Sequence, residues 1–159
     1  MTEKIDEIDV QIVQLLQARG RIKRNQIAEE VGLSVPSVSE RMRKLEERGV
    51  IQGYHAVLDH KRLHLDITAF IRVTVDGSTN YPRFIEQARA LASILEVHSM
   101  TGEGSHLLKV RVRNTAALEQ LLAQIQQWEG VHGTSTSLVL STYKETREVP
   151  VEPMVLFQG

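Results

Sequence analysis

The chain has 159 residues, 42% of them hydrophobic and 25% charged, which fits one domain or two small ones with packed cores and excludes a disordered class. It contains no cysteine, so disulfides and thiolate metal sites are excluded. The net charge is −1, so any affinity for nucleic acid has to come from a local basic patch rather than from a basic protein.

No apolar run approaches the roughly 18 residues needed to cross a membrane. The opening MTEKIDEIDVQ is charged from the start and lacks the apolar stretch of a signal peptide. The expectation is a cytoplasmic protein without a membrane partner. Over residues 1–64 cations and anions nearly balance, but the cations cluster. Arg19, Arg21, Lys23 and Arg24 form one group, and Arg41, Arg43, Lys44 and Arg48 another.

Ile5, Ile8, Ile12, Leu15 and Leu16 trace one apolar face of a helix from about Ile5 to Ala18. Gly20 stops it. A shorter helical pattern carries Ile27, Ala28 and Val31 and ends at Gly32. Ser34 can then cap a third helix, with Pro36 in its first turn, where a missing N–H costs nothing. Val38, Met42 and Leu45 line that helix on one side, and Gly49 follows its end. Three short helices with a Gly-Leu-Ser turn between the second and third read as a helix-turn-helix. Val50 to Leu58 looks extended and is expected to form a wing or a linker strand. Residues 61–66 are expected to be a linker between domains 1–60 and 67–148.

The second half alternates strands and helices. Ala69, Ile71, Val73 and Val75 point one way and Phe70, Arg72 and Thr74 the other, as in a strand with one buried face. Tyr81 to Ala92 reads as a helix, with Asn80 as its cap, and Ile94 to Met100 as a second strand. Leu108, Val110 and Val112 mark a third strand. Leu118, Leu121, Leu122, Ile125 and Trp128 mark a second helix, and Thr134 to Tyr143 a last strand. The order βαββαβ predicts a ferredoxin-like sandwich, so the fold class is α+β: an N-terminal winged helix-turn-helix plus a C-terminal βαββαβ sandwich. Residues 149–159 are a tail. Its end, Val155-Leu156-Phe157-Gln158-Gly159, looks like the remnant of a protease recognition site and is set aside in reading the fold.

The segments IDEIDVQIVQLLQARGR, IAEEVGLSVPSVSERMRKLEERGVIQGYHAVLD and TGEGSHLLKVRV resemble the Lrp/AsnC, or feast/famine, family of transcription regulators. The likeness covers about residues 4–148. Its most specific part is the fixed spacing from Gly32-Leu33-Ser34 through Val38, Arg41 and Leu45 to Arg48-Gly49-Val50-Ile51 and Gly53-Tyr54. The resemblance implies an N-terminal domain that binds double-stranded DNA. It also implies a C-terminal domain that dimerises and senses amino acids or other small molecules, and assembly as dimers or as octamers of four dimers.

In a helix-turn-helix the third helix enters the major groove, and its first residues meet base edges. The candidate DNA contacts are therefore Ser34, Pro36, Ser37, Ser39, Arg41, Arg43 and Lys44. Arg41 suits a bidentate contact to guanine or a phosphate contact. The competing account is a solvated face whose cations pair with Glu40, Glu46 and Glu47. Arg24 and Asn25 open the second helix, placed to meet phosphate. For the effector, family members carry a Gly–acid–aromatic–Asp–Tyr stretch before the third sensor strand. Here it reads Gly102, Glu103, Gly104, Ser105 and His106. The glycine and acid match and the other three depart, which puts an ordinary amino-acid effector in question. Thr134, Ser135 and Thr136 are expected to line the same pocket. The competing account is a plain β-turn that uses the two glycines for positive φ.

His60 and His64 are four residues apart but lack the acid and cysteine cluster of a metal site. No catalytic motif, nucleotide-binding glycine pattern or cofactor box is present, so no catalytic residue, metal or cofactor is expected. Two rivals stand beside the regulator. One is an enzyme resembling the tetrapyrrole decarboxylases that share this architecture, for which His98, His106 and Tyr143 are the candidate groups. The other is an architectural DNA-binding protein without an effector.

Overall fold

The computed structural model describes residues 3–156. They form two units, one from residues up to Val57 together with those from Glu145 onward, and one from Leu58 to Lys144.

In the first unit, strand β1 (Glu3–Ile5) leads into helix α1 (Glu7–Ala18), followed by α2 (Arg24–Val31) and α3 (Val35–Glu47). Local chemistry starts and stops each helix. Asp6 caps α1 by accepting from the backbone N–H of Asp9 (2.9 Å), while the Asp9 carboxylate accepts from the Asp6 N–H (3.3 Å). This reciprocal box satisfies two otherwise orphaned donors. Gly32 ends α2 in the left-handed region, φ 69°, where a side chain would be strained. Ser34 accepts from the Ser37 N–H (3.3 Å) and opens α3, with a proline in its first turn. The small core is Ile12, Ile27, Ala28, Val38 and Met42, ringed by Ile8, Leu15, Leu16, Ile22, Val31 and Leu33.

Two expectations change in this unit. Val50–Leu58 forms no strand. Its start is tied back to α3 instead, because the Val50 and Ile51 N–H groups both donate to the Leu45 carbonyl (2.9 and 3.1 Å). The strand pairing lies at the ends of the chain. β6 (Met154–Leu156) runs antiparallel to β1, with Lys4 opposite Val155. The side-chain amide of Gln17 also donates to the Val149 carbonyl (3.0 Å) and accepts from the Val149 N–H (2.8 Å), much as a neighbouring strand would. Part of the tail set aside in the sequence thus pairs with β1. A three-residue strand is too short to show a periodicity of its own.

The second unit is a sheet of β2 (Ile67–Val75), β3 (Ile94–Ser99), β4 (His106–Val112) and β5 (Val131–Leu138), in the order β3-β4-β2-β5 with every pairing antiparallel. Helices α4 (Tyr81–Ala90) and α5 (Thr115–Gln126) make the two crossovers. This is the ferredoxin-like βαββαβ arrangement. The alternation read in β2 holds: Ala69, Ile71, Val73 and Val75 are buried, together with Leu108, Val110 and Val112 of β4 and Phe84, Ala88, Leu118, Leu121 and Ile125 of the helices. Asn114 caps α5 through its side chain (2.9 Å). Asn80 does not cap α4; its amide turns back to the Asp76 carbonyl (2.6 Å).

Candidate nucleic-acid interface and sensor loop

Helix α3 separates its residues cleanly. Val38, Met42 and Leu45 are buried, while Val35, Pro36, Ser37, Glu40, Arg43 and Lys44 are exposed. The inward set holds the helix on the core, and the outward set is left for a partner. Ser34 and Ser37 are exposed and bonded hydroxyl to hydroxyl (2.8 Å). Ser39 is half-buried at the edge of the packed side. Arg24 and Asn25 are exposed in the first turn of α2.

The cations of α3 differ in how they are held. Arg43 pairs with Glu40 (2.7 Å) and Glu47 on its own helix, and Lys44 lies 3.6 Å from Glu40. Bonding to Arg43 holds the Glu40 carboxyl down at about 2. Such exposed pairs contribute little stability and exchange readily for a phosphate. Arg41 is bound across the fold. Its Nη1 donates to Asp6 Oδ2 (2.8 Å), Asp6 Oδ1 (3.0 Å) and Asp9 Oδ1 (2.7 Å). The Asp9 side chain is only 8% exposed. The sequence assigned Arg41 to base or phosphate; in the folded chain its guanidinium is occupied by the capping carboxylates of α1. Sequence reading passed over Asp6 and Asp9 as partners. The available signal was Asp-x-x-Asp at a helix start, which announces a cap but not a second client. It named Tyr54 only within the family spacing and not its partner: the Tyr54 hydroxyl donates to Glu46 (2.8 Å), and burial and then this bond raise its pKa to about 12.

The sensor loop between β3 and β4 is built on glycine. Gly102 and Gly104 have φ of 91° and 74°. A Cβ at Gly104 would lie 3.1 Å from both the Arg72 side chain and the Val73 carbonyl, whereas at Gly102 it would meet open space. Arg72 donates to the Glu103 carbonyl (3.1 Å). Ser135 stands opposite Arg72 in the β2–β5 register. Gly104, Arg72 and Ser135 therefore come together beside Glu103, on the sheet face away from the helices.

The remaining expected pocket residues are turned elsewhere, and for His106, Thr134 and Thr136 strand alternation is the reason. His106 is fully buried, with ring centroids 4.7 Å from both Tyr81 and Phe84. It belongs to the core, not to a loop pocket, because position 106 points to the same side as Leu108 and Val110. Ser105 serves it. The Ser105 hydroxyl lies 2.8 Å from His106 Nδ1 and 3.3 Å from the Val73 carbonyl, and accepts from the Val75 N–H (3.0 Å). Thr134 accepts from Gln126 of α5 (2.8 Å), and with Thr136 it faces the helix side opposite Val73 and Ile71. Neither shares a face with Ser135.

The groups considered for catalysis are likewise dispersed. His98 is opposite Leu107 on the open face and bonds Glu96 (3.1 Å), His106 is on the buried face, and Tyr143 is 97% exposed beyond β5. His60 lies 2.8 Å through Nδ1 from the Leu65 carbonyl and closes a turn, while His64 is exposed. Among the described residues no helix is long and apolar enough to cross a membrane.

Comparison with known proteins places this architecture. Residues 5–52 match the winged helix-turn-helix DNA-binding model, and residues 68–149 match the Lrp/AsnC ligand-binding domain. The HTH-type transcriptional regulator FL11 of Pyrococcus horikoshii is 36% identical over 152 residues, covering 96% of this chain and all of that protein. The leucine-responsive regulatory protein of Escherichia coli is 32% identical, covering 93% of this chain and 92% of that one. The structure of a Neisseria meningitidis transcriptional regulator in complex with L-methionine superposes with a TM-score of 0.86 at 29% identity, over 91% of this chain and 96% of the other. The chain belongs to the Lrp/AsnC family of DNA-binding transcription regulators, with a helix-turn-helix domain and a ligand-binding domain.

Proposed function

We propose that α3 is the recognition helix of a sequence-specific regulator of transcription acting on chromosomal DNA in the cytoplasm. Pro36 and Ser37 in its first turn reach base edges, and Ser39 lies beside them. Arg43, Lys44, Arg24 and Asn25 meet phosphate. Ser34 caps the helix beneath them. The observation that carries this reading is the split of α3 into a buried apolar row and an exposed polar row behind a glycine-ended turn. The test is a gel shift at fixed salt. The probe is a duplex enriched by the protein from a random-sequence pool, with a shuffled duplex as control. Ser37→Ala should weaken only the enriched duplex; equal loss on both would remove Ser37 from base reading.

The protein acts as a dimer, with octamers of four dimers as its larger assembly, and responds to an amino acid or a related small molecule. Arg72 and the Glu103 side chain offer the opposite charges that a zwitterion requires, beside the Gly102–Gly104 backbone and Ser135. The L-methionine bound in the N. meningitidis regulator supports this class of ligand. Because a ligand that prefers the native state raises its melting temperature, a thermal-shift screen of the twenty amino acids should yield at least one hit, abolished by Arg72→Met. No shift from any of them points to an effector-free architectural role. Sedimentation with and without the hit reads the assembly.

A further inference from the structure

The clamp on Arg41 deserves a role of its own. One guanidinium nitrogen shares its two N–H groups among three oxygens of two carboxylates, on the N-cap and first turn of another helix. One carboxylate, Asp9, is nearly buried and also belongs to the capping box of α1. Charge-assisted bonds of this kind are strong and directional. They join the start of α1 to the middle of α3, one helical turn beyond Ser37. The core beneath is small, and its apolar contacts are non-directional. Apolar packing of Val38, Met42 and Leu45 fixes which side of α3 faces the core, and the ion triad adds a directional restraint on its rotation. The neighbouring charges on this face are Lys4, Glu40, Lys44 and Arg48, which line one depression of about 570 Å³ together with Asp6, Asp9 and Arg41.

We infer that Arg41 is a positioning residue that sets the rotation of α3 through Asp6 and Asp9, and that it reads neither base nor phosphate. This rests on α3 being the recognition helix. It reverses the natural reading of an arginine on such a helix, and the two readings differ in what they expect of Asp9. If Arg41 reached DNA, Asp9 would compete with DNA for it, and removing the Asp9 charge would leave binding equal or tighter. If Arg41 positions the helix, removing that charge harms sequence reading although the net charge becomes more favourable to DNA.

The experiment uses the full chain, a duplex enriched by the wild-type protein from a random pool, and a shuffled duplex of the same composition. Failure of the wild type to enrich any duplex would bring down the recognition-helix reading itself, and is seen before any variant is made. Asp9→Asn should lose roughly ten- to hundred-fold affinity for the enriched duplex, the scale of one charge-assisted bond, and keep its affinity for the shuffled one. Unchanged or tighter binding to the enriched duplex overturns the inference. Arg41→Met should leave the slope of log affinity against log salt at the wild-type value; a slope smaller by roughly 0.9 means a phosphate contact and overturns it. Should Asp9→Asn melt below the assay temperature, Arg41→Lys decides. The lysine ammonium keeps the charge, but its side chain is one bond shorter than the path to Arg41 Nη1, the nitrogen that holds both carboxylates. Re-selection with Arg41→Lys should then blur the preferred sequence across the whole half-site. Loss of preference at a single base pair shows direct base reading and overturns the inference.

Discussion

In the N-terminal unit the polar residues of α3 lie mostly outside, over a small apolar core. In the C-terminal unit two polar residues of the sensor run, Ser105 and His106, have been drawn inward, beside a larger core. Both segments look alike in sequence: short, polar and flanked by glycine. A helix and a strand treat such a segment differently. The helix turns polar residues outward as a continuous stripe, and the strand sends every second one to the core. Helix α3 therefore keeps most of its polar groups exposed, while the run before β4 keeps only those on its open face.

The largest expected effects test whether the two cores are independent. Phe84 is fully buried and packs against His106 and Trp128. Phe84→Ala should cost about 3–5 kcal/mol in the C-terminal unit. Trp128 is the single tryptophan, so its fluorescence reports this unit, whereas helical circular dichroism reports both. Denaturant unfolding of the variant should show the fluorescence transition moved to lower denaturant, with a helical signal from the other unit persisting beyond it. Loss of both signals together would mean one cooperative fold and would end the comparison.

The reverse change is Ile27→Ala, in the smaller core. It should cost about 2–4 kcal/mol there and abolish binding to DNA. The Trp128 transition should stay within error of the wild type. A smaller step is Ser34→Ala, which removes the cap of α3. The expected loss is about 1 kcal/mol in the N-terminal transition, read by circular dichroism. An unaffected midpoint would show that Pro36 and the core hold the first turn without the hydroxyl.

Much of this contrast was legible in the sequence, for a physical reason that also marks its limit. Apolar periodicity reports which face of an element is buried, so α3, β2 and β4 were readable at the level of single residues. Val38 and Val73 are examples. The same rule applied to Ser105 and His106 would have put His106 inside. Its polarity and the loop motif outweighed the alternation that begins at Leu108. The Arg41 clamp was not legible, because Asp6 and Asp9 lie more than thirty positions away and nothing local couples them. The β1–β6 pair was hidden for the same reason, compounded by the shortness of both strands. Of the sensor candidates, Gly104 and Ser135 meet at Arg72 because register places them there, and register follows from strand pairing, which a single sequence does not display.

The finest test concerns His106, where the inward turn of the sensor run has a consequence in pH. Burial lowers its pKa from the usual histidine value. Its Nε2 has no hydrogen-bond partner among the described residues, and Nδ1 is committed to Ser105. A second proton would place an unpaired N–H and a charge in the core. The unfolded chain binds that proton at an ordinary pKa of ~6.5 and the folded chain only at a lower pH. Stability of the C-terminal unit is therefore full above that value and falls as pH drops through it, because the unfolded state then holds more protons. Between pH 7.5 and 6 the stability of that unit should fall. It is read as a shift in the Trp128 unfolding midpoint at the two pH values. His106→Leu should flatten that difference in the C-terminal unit and leave the N-terminal transition unmoved. A pH dependence that survives in His106→Leu would assign it to other groups and leave His106 as packing alone.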